Sequence, residues 1–293
     1  MTERSVRATS SARSGQARTV REVVRGRPAS DGAGVRLTRM LGTSALSELD
    51  PFLLLDQMRS DEANDYIAGF PNHPHRGFET VTYMIEGRMR HRDNQGNEGL
   101  LGPGSVQWMT AGRGIVHSEM PEQEGGTLWG FQLWVNLPAS DKMMPPRYQD
   151  IPASDVPEVA RDGALVRVLA GGVGDVVGPV RGVATEPVLL DVQLSTDATL
   201  RVPLPAGHTA FAAVIDGEAR IGPADDRRVV RERELAVLSP GDAFEAAAGE
   251  RPARVLLAAG RPLGEPVARY GPFVMNTREQ LVEAFRDYEA GRL

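Results

Sequence analysis

The chain has 293 residues, no cysteine and a formal net charge of −6. Disulfides, zinc–thiolate sites, iron–sulfur clusters and thiol catalysis are therefore excluded, and no apolar run approaches the roughly 18 residues of a membrane span. The acidic body argues against nucleic-acid binding through the main domains, and 32 glycines with 21 prolines favour short strands and turns over long helices.

The charge is uneven, since residues 1–39 carry nine arginines against three acids. Residues 1–17, rich in Ser, Arg, Ala and Gly, have almost nothing to bury and are expected to be a disordered tail. No apolar stretch backs the basic residues, so the segment does not read as a secretory signal and a cytoplasmic protein is expected. Residues 19–24 and 35–40 then read as strands, and residues 51–56 as a short buried one. Residues 61–70 form a loop. Residues 78–85 alternate as a strand, Glu86-Gly87 turns it, and residues 88–92 return beside it. On that return strand His91 lies between two arginines and is expected to be exposed. Gly102-Pro103-Gly104 precedes a strand over 105–110, and Gly112 and Gly114 let the backbone bend toward His117. Residues 127–137 make a long strand with Trp129, Phe131, Leu133 and Val135 on one face. Residues 138–163, rich in proline, read as an interdomain connection. Three parts follow: the tail 1–17, an N-terminal metal-binding domain 18–150, and a second domain 151–293.

Chemistry concentrates in His73-Pro74-His75 and His117-Ser118-Glu119, which hold three of the five histidines. Residues two apart on a strand share a face. Two such strands facing each other in a small barrel surround one ion with three nitrogens and a carboxylate oxygen, a set suited to Fe, Mn, Ni, Cu or Zn. Four protein ligands leave two octahedral positions for a substrate or dioxygen. A lone His-x-His is more often polar surface; the second pair with the same spacing makes the metal reading the stronger one. Glu79, four residues after His75, falls on the same face by strand alternation and ranks below Glu119 as a ligand, its alternative being a barrel-rim carboxylate.

The second half repeats the first. Phe211–Arg220 matches Val81–Arg90, and setting Gly217 on Gly87 gives an offset that places Pro203 opposite His73 and Pro205 opposite His75. Ser239-Pro240-Gly241-Asp242 similarly matches Gly102-Pro103-Gly104-Ser105. No histidine follows His208, which is itself expected to be structural or exposed, so nothing matches His117. A duplicated barrel in which only the first copy keeps a metal is the inference. Residues 277–288 carry apolar residues at helical spacing, with Thr277 and Gln280 placed to form a capping box.

The run Asn72-His73-Pro74-His75-Arg76-Gly77-Phe78-Glu79-Thr80-Val81 resembles the pirin family of the cupin superfamily. So do Gly112-Arg113-Gly114-Ile115-Val116-His117-Ser118-Glu119, Gln132-Leu133-Trp134-Val135-Asn136-Leu137-Pro138 and Gly271-Pro272-Phe273-Val274-Met275-Asn276-Thr277. The resemblance implies an all-β fold of two consecutive cupin (double-stranded β-helix) barrels, and iron, as Fe(II), held by His73, His75, His117 and Glu119. It implies one of two activities. The first is a quercetin 2,3-dioxygenase-type opening of a flavonol ring with O2, with Glu119 as general base. The second is a redox-sensing regulator working through a protein partner, a transcriptional cofactor or a modulator of a metabolic enzyme. No helix-turn-helix is visible, so no direct nucleic-acid contact is expected, and a monomer is.

Overall fold

The computed structural model describes residues 15–293, so residues 1–14 of the expected tail lie outside the described residues. Residues 15–17, read above as tail, are laid against the second half of the chain. Ala17 bridges Ala243, and the Asp242 N–H donates to the Gln16 carbonyl at 3.0 Å.

Each half is a barrel of two sheets. The strands in chain order are β1 (Val20–Arg25), β2 (Arg27–Asp31), β3 (Val35–Leu41), β4 (Phe52–Ser60), β5 (Phe70–His75), β6 (Phe78–Glu86), β7 (Met89–Asp93), β8 (Glu98–Leu101), β9 (Val106–Thr110), β10 (Ile115–Pro121), β11 (Leu128–Asn136) and β12 (Arg147–Ile151). The first barrel combines a seven-stranded sheet in the order β12-β9-β6-β11-β4-β3-β2 with a four-stranded sheet in the order β5-β10-β7-β8. The second repeats this with β1, Glu234–Leu238, Thr209–Asp216, Ala253–Gly260, Val188–Leu194, Ala164–Ala170 and Glu158–Arg161 in the long sheet. Its short sheet holds Thr199–Pro203, Ala243–Ala248, Glu218–Ile221 and Arg228–Arg231. One helix, α1 (Arg278–Glu289), closes the chain, and the Thr277–Gln280 capping box forms as the sequence predicts.

One edge strand crosses between the halves. β1 pairs antiparallel with Glu234–Leu238, Val24 facing Leu235, and its Val20 belongs to the core of the second barrel. Assigning the chain from residue 18 to the first domain therefore separates β1 from the sheet it hydrogen-bonds. β12 arises within the expected interdomain connection and pairs with β9. Its sequence Arg-Tyr-Gln-Asp-Ile lacks apolar alternation because it is an edge strand with a single paired neighbour.

β6 and β11 show how the faces divide. Val81, Tyr83, Phe131, Leu133 and Val135 point outward and merge with Phe211, Ala213, Leu235 and Leu256 of the second half in one apolar cluster. The barrels thus pack through their long sheets. A buried polar knot spans the same seam: the Tyr83 hydroxyl donates to Asp191 at 2.6 Å, and Arg254 grips that carboxylate at 2.8 and 2.6 Å. The opposite face of the same strands, carrying Thr82, Gln132 and Trp134, looks into the first barrel. Among the described residues no helix is long and apolar enough to cross a membrane.

Candidate metal centre

β5 and β10 are antiparallel neighbours, and their register sets His73 opposite His117. Strand alternation brings His75 to the same side. The imidazole centroids of His73, His75 and His117 lie 4.8, 4.3 and 5.0 Å apart in pairs, and one nitrogen from each falls within 4.8 Å of the others. Each ring turns Nδ1 to a partner: His73 to the Pro71 carbonyl (2.8 Å), His75 to the Pro272 carbonyl (3.4 Å) and His117 to Nδ1 of His91 (3.3 Å). With Nδ1 occupied, Nε2 of each ring is left for an ion, those of His73 and His75 standing 3.1 Å apart, the arrangement that fixes tautomers at metal sites.

Burial pushes the His75 and His117 imidazoles well below their ordinary titration range, and the neighbouring histidines push the same way. Both are therefore neutral at pH 7, with lone pairs available. His117 Nε2 is buried without a hydrogen-bond partner. A bare buried nitrogen beside two other imidazoles is costly unless an ion takes it up, and the donor set fits a first-row divalent metal.

Glu119 is buried two residues further along β10. A register shift between His117 and Glu119 sets it opposite Phe70 on one side, and it faces His91 on the other. Its Oε1 lies 2.8 Å from the Thr82 hydroxyl and its Oε2 3.4 Å from the Gln132 amide nitrogen. The close nitrogen group contains the three histidines, and the Glu119 carboxylate stands apart from it on the Thr82–Gln132 pair.

Glu79 is elsewhere. β5 ends at His75 and β6 begins at Phe78, and Gly77 between them has φ of 87°. A conformation open to glycine breaks the alternation, so counting from His75 puts Glu79 on the wrong face. It accepts a hydrogen bond from Thr110 at 2.7 Å, and burial raises its carboxyl to about 7.

His91 also departs from expectation. It is 1% exposed, faces Glu119 across β7 and β10, and packs on Tyr148 of β12 at 4.7 Å between ring centroids. The signal was in the sequence: in Arg88-Met89-Arg90-His91-Arg92 the arginines alternate with Met89 and His91, which share the inward face. Trp134 and Gln132 follow from the same rule, lying opposite the apolar face of β11.

The histidines open onto a cavity of about 670 Å³, lined among others by His73, His75, Glu119, Gln132 and Trp134. Trp134 meets the His75 ring at 5.2 Å. Within the cavity wall Arg39 grips Asp56 at 2.8 and 2.7 Å and reaches Asp31 at 2.9 Å.

The repeat needs a register correction. Val202 pairs with Phe244 in the second barrel as His73 pairs with His117 in the first. Val202, not Pro203, is the counterpart of His73. The turn at residues 239–242 lies between Glu234–Leu238 and Ala243–Ala248, the place of Ala111–Gly114 in the first barrel. The Gly87–Gly217 match stands, both being positive-φ turns at the ends of corresponding strands.

Comparison with known proteins gives a consistent answer. The family model for Pirin matches residues 34–135, and that for the Pirin C-terminal cupin domain matches residues 189–293. A pirin-like protein of Caulobacter vibrioides is 52% identical over 277 residues, covering 94% of this chain and 99% of its own. Pirin of Homo sapiens is 41% identical over 276 residues, covering 94% and 93%. The crystal structure of a quercetin 2,3-dioxygenase from Acinetobacter baumannii superposes with a TM-score of 0.85 at 33% identity, covering 94% of this chain and 98% of that one.

Proposed function

The chain belongs to the pirin family, and from that premise we propose that it is a quercetin 2,3-dioxygenase-type oxidoreductase opening a flavonol ring with O2. His73, His75 and His117 would hold the metal, Fe(II) on this reading, with Glu119 turning from the Thr82–Gln132 pair to complete the set as fourth ligand or loosening from it to act as base. The observation that carries it is the cavity. About 670 Å³ beside the histidines falls within the roughly 300–1,000 Å³ of small-molecule sites. A regulator whose metal only tunes a surface for a protein partner requires no such space. The Acinetobacter baumannii structure, named for this activity, supports it as a relative.

When bound, the ion supplies Lewis acidity that lowers the pKa of a flavonol hydroxyl. Glu119 takes the released proton as general base. Its carboxylate borders the cavity and is braced by Thr82 and Gln132, so the acceptor oxygen is held in place before substrate arrives. Trp134, Phe70 and Met89 supply the apolar wall for an aromatic ring. Both oxygens of O2 enter the opened product, and one ring carbon leaves as carbon monoxide.

The test is oxygen uptake on quercetin by iron-loaded protein, beside His117→Ala. Uptake by the parent, lost together with metal in the variant, is expected. No uptake by protein whose iron content has been verified would overturn the reading and leave the regulatory one. The same donor set accepts Mn, Ni, Cu or Zn, so each is loaded in parallel.

A further inference from the structure

The cavity contains two arginines in very different states. Arg39 is saturated by Asp56 and Asp31. Arg269, on the hairpin that precedes α1, donates one hydrogen bond to the Leu53 carbonyl at 3.0 Å, and its guanidinium sits 4.7 Å above the Trp134 ring. It has no carboxylate partner among the described residues, and it lines the cavity. A guanidinium offers five donors in a flat fork, so most of the Arg269 fork is free toward the cavity.

Placement adds a second constraint. The same Trp134 indole meets the His75 ring at 5.2 Å. The histidine cluster and the guanidinium therefore share one aromatic wall of the cavity, along which an aromatic ligand can present polar groups to both. Charge adds a third. The lining carries three carboxylates, Asp31, Asp56 and Glu119, against the two guanidiniums. A divalent ion held there would add two positive charges and turn that deficit into one net positive charge, which a monoanionic ligand neutralises.

We propose that Arg269 is the specificity-determining residue of this cavity, selecting aromatic ligands that carry a carboxylate at the end away from the oxygens that face the histidines. A planar guanidinium stacked on an indole is preorganised for bidentate recognition of such a group. The proposal rests on reading the cavity as a substrate site, but not on the oxygen chemistry.

The experiment is calorimetric titration of Ni(II)-loaded protein, without oxygen, with 3,4-dihydroxybenzoate and with catechol, which lacks the carboxylate. The parent should bind the acid about tenfold more tightly, the scale of a charge-assisted hydrogen bond. Arg269→Gln should erase the preference while leaving catechol within about twofold, and Arg269→Lys, which keeps the charge, should retain part of it. Equal affinities in the parent, a preference surviving in Arg269→Gln, or no binding of either compound would each overturn the proposal. Oxygen uptake on quercetin is scored separately, so a selective cavity without turnover would count against the dioxygenase reading alone.

Discussion

The two barrels share a topology and invert each other's interiors. Tracing the paired strands, His73, His117, Glu119 and His91 of the first barrel correspond to Val202, Phe244, Ala246 and Ile221 of the second. Thr82, Gln132, Asp56 and Arg39 correspond to Ala212, Leu257, Leu190 and Val168. Every residue of the second set belongs to one buried apolar cluster. One barrel is thus filled by an apolar core, while the other keeps a smaller apolar cluster around Leu37, Met58 and Met89 and opens a cavity beside its polar residues. Buried polar groups need partners to be tolerated, and in the first barrel several have them: Arg39 with Asp56, Thr82 with Glu119, and Nδ1 of His117 with His91, while Nε2 of His117 has none. The first barrel recovers apolar burial on its outer face, against the second. The second copy is best understood as the support that lets the first be hollow.

The largest effect should come from carrying the second interior into the first. His117→Phe, which installs the residue found at Phe244, should abolish metal uptake while the chain stays folded. Metal content by elemental analysis should fall from one ion per chain to none. Two ions per chain in the parent would break the comparison outright, because the second barrel has no donor set.

Next in size is stability. Phe244→Ala opens a hole in the solid barrel and should cost about 3–5 kcal/mol in urea unfolding. Thr82→Ala, in the hollow barrel, removes a hydroxyl beside a cavity and should cost only about 1 kcal/mol. Equal costs would mean that the two interiors carry stability alike.

The first barrel's outer face provides a pH test. Glu79 titrates at about 7 in the folded protein against an ordinary value of 4.5, so between those values the folded state binds more protons than the unfolded one. Stability therefore falls as pH rises from about 4.5 through 7 and levels off above, by up to about 3 kcal/mol. Glu79→Gln keeps an acceptor for Thr110 and cannot titrate. Its unfolding free energy should lack that decline, and a variant with the parent's pH slope would show that Glu79 is not its source.

Much of this comparison was legible in the sequence. Two pairs at His-x-His spacing gave the three histidines, and the Gly87–Gly217 match gave the duplication. Three things were not legible, each for a local reason. Gly77 interrupts the alternation that seemed to align Glu79 with His75. A one-residue difference between the repeats set Pro203 where Val202 belongs, and a one-residue slip reverses a strand's faces. The crossed edge strand β1 depends on a pairing made far along the chain, and β12 on a pairing with β9 across the intervening strands, which local composition does not encode. Arg269 is likewise brought to the cavity by tertiary packing of the segment before α1.

The last prediction concerns His91, whose counterpart is Ile221. If His117 is to offer a lone pair at Nε2, its proton must sit on Nδ1, and the atom facing it at 3.3 Å is Nδ1 of His91. His91 then acts as acceptor, with its own proton on Nε2, and holds the His117 ring in register. His91→Ile should weaken Ni(II) binding by about 10–100-fold, the usual range for losing such an orienting partner. His91→Asn, whose side-chain oxygen can accept the same hydrogen bond, should recover part of that loss. Competition with a chelator of known affinity measures both. An isoleucine variant that binds nickel as tightly as the parent would mean that the packing of β5 against β10 alone orients His117, and that the polar interior of the first barrel extends further than its metal chemistry requires.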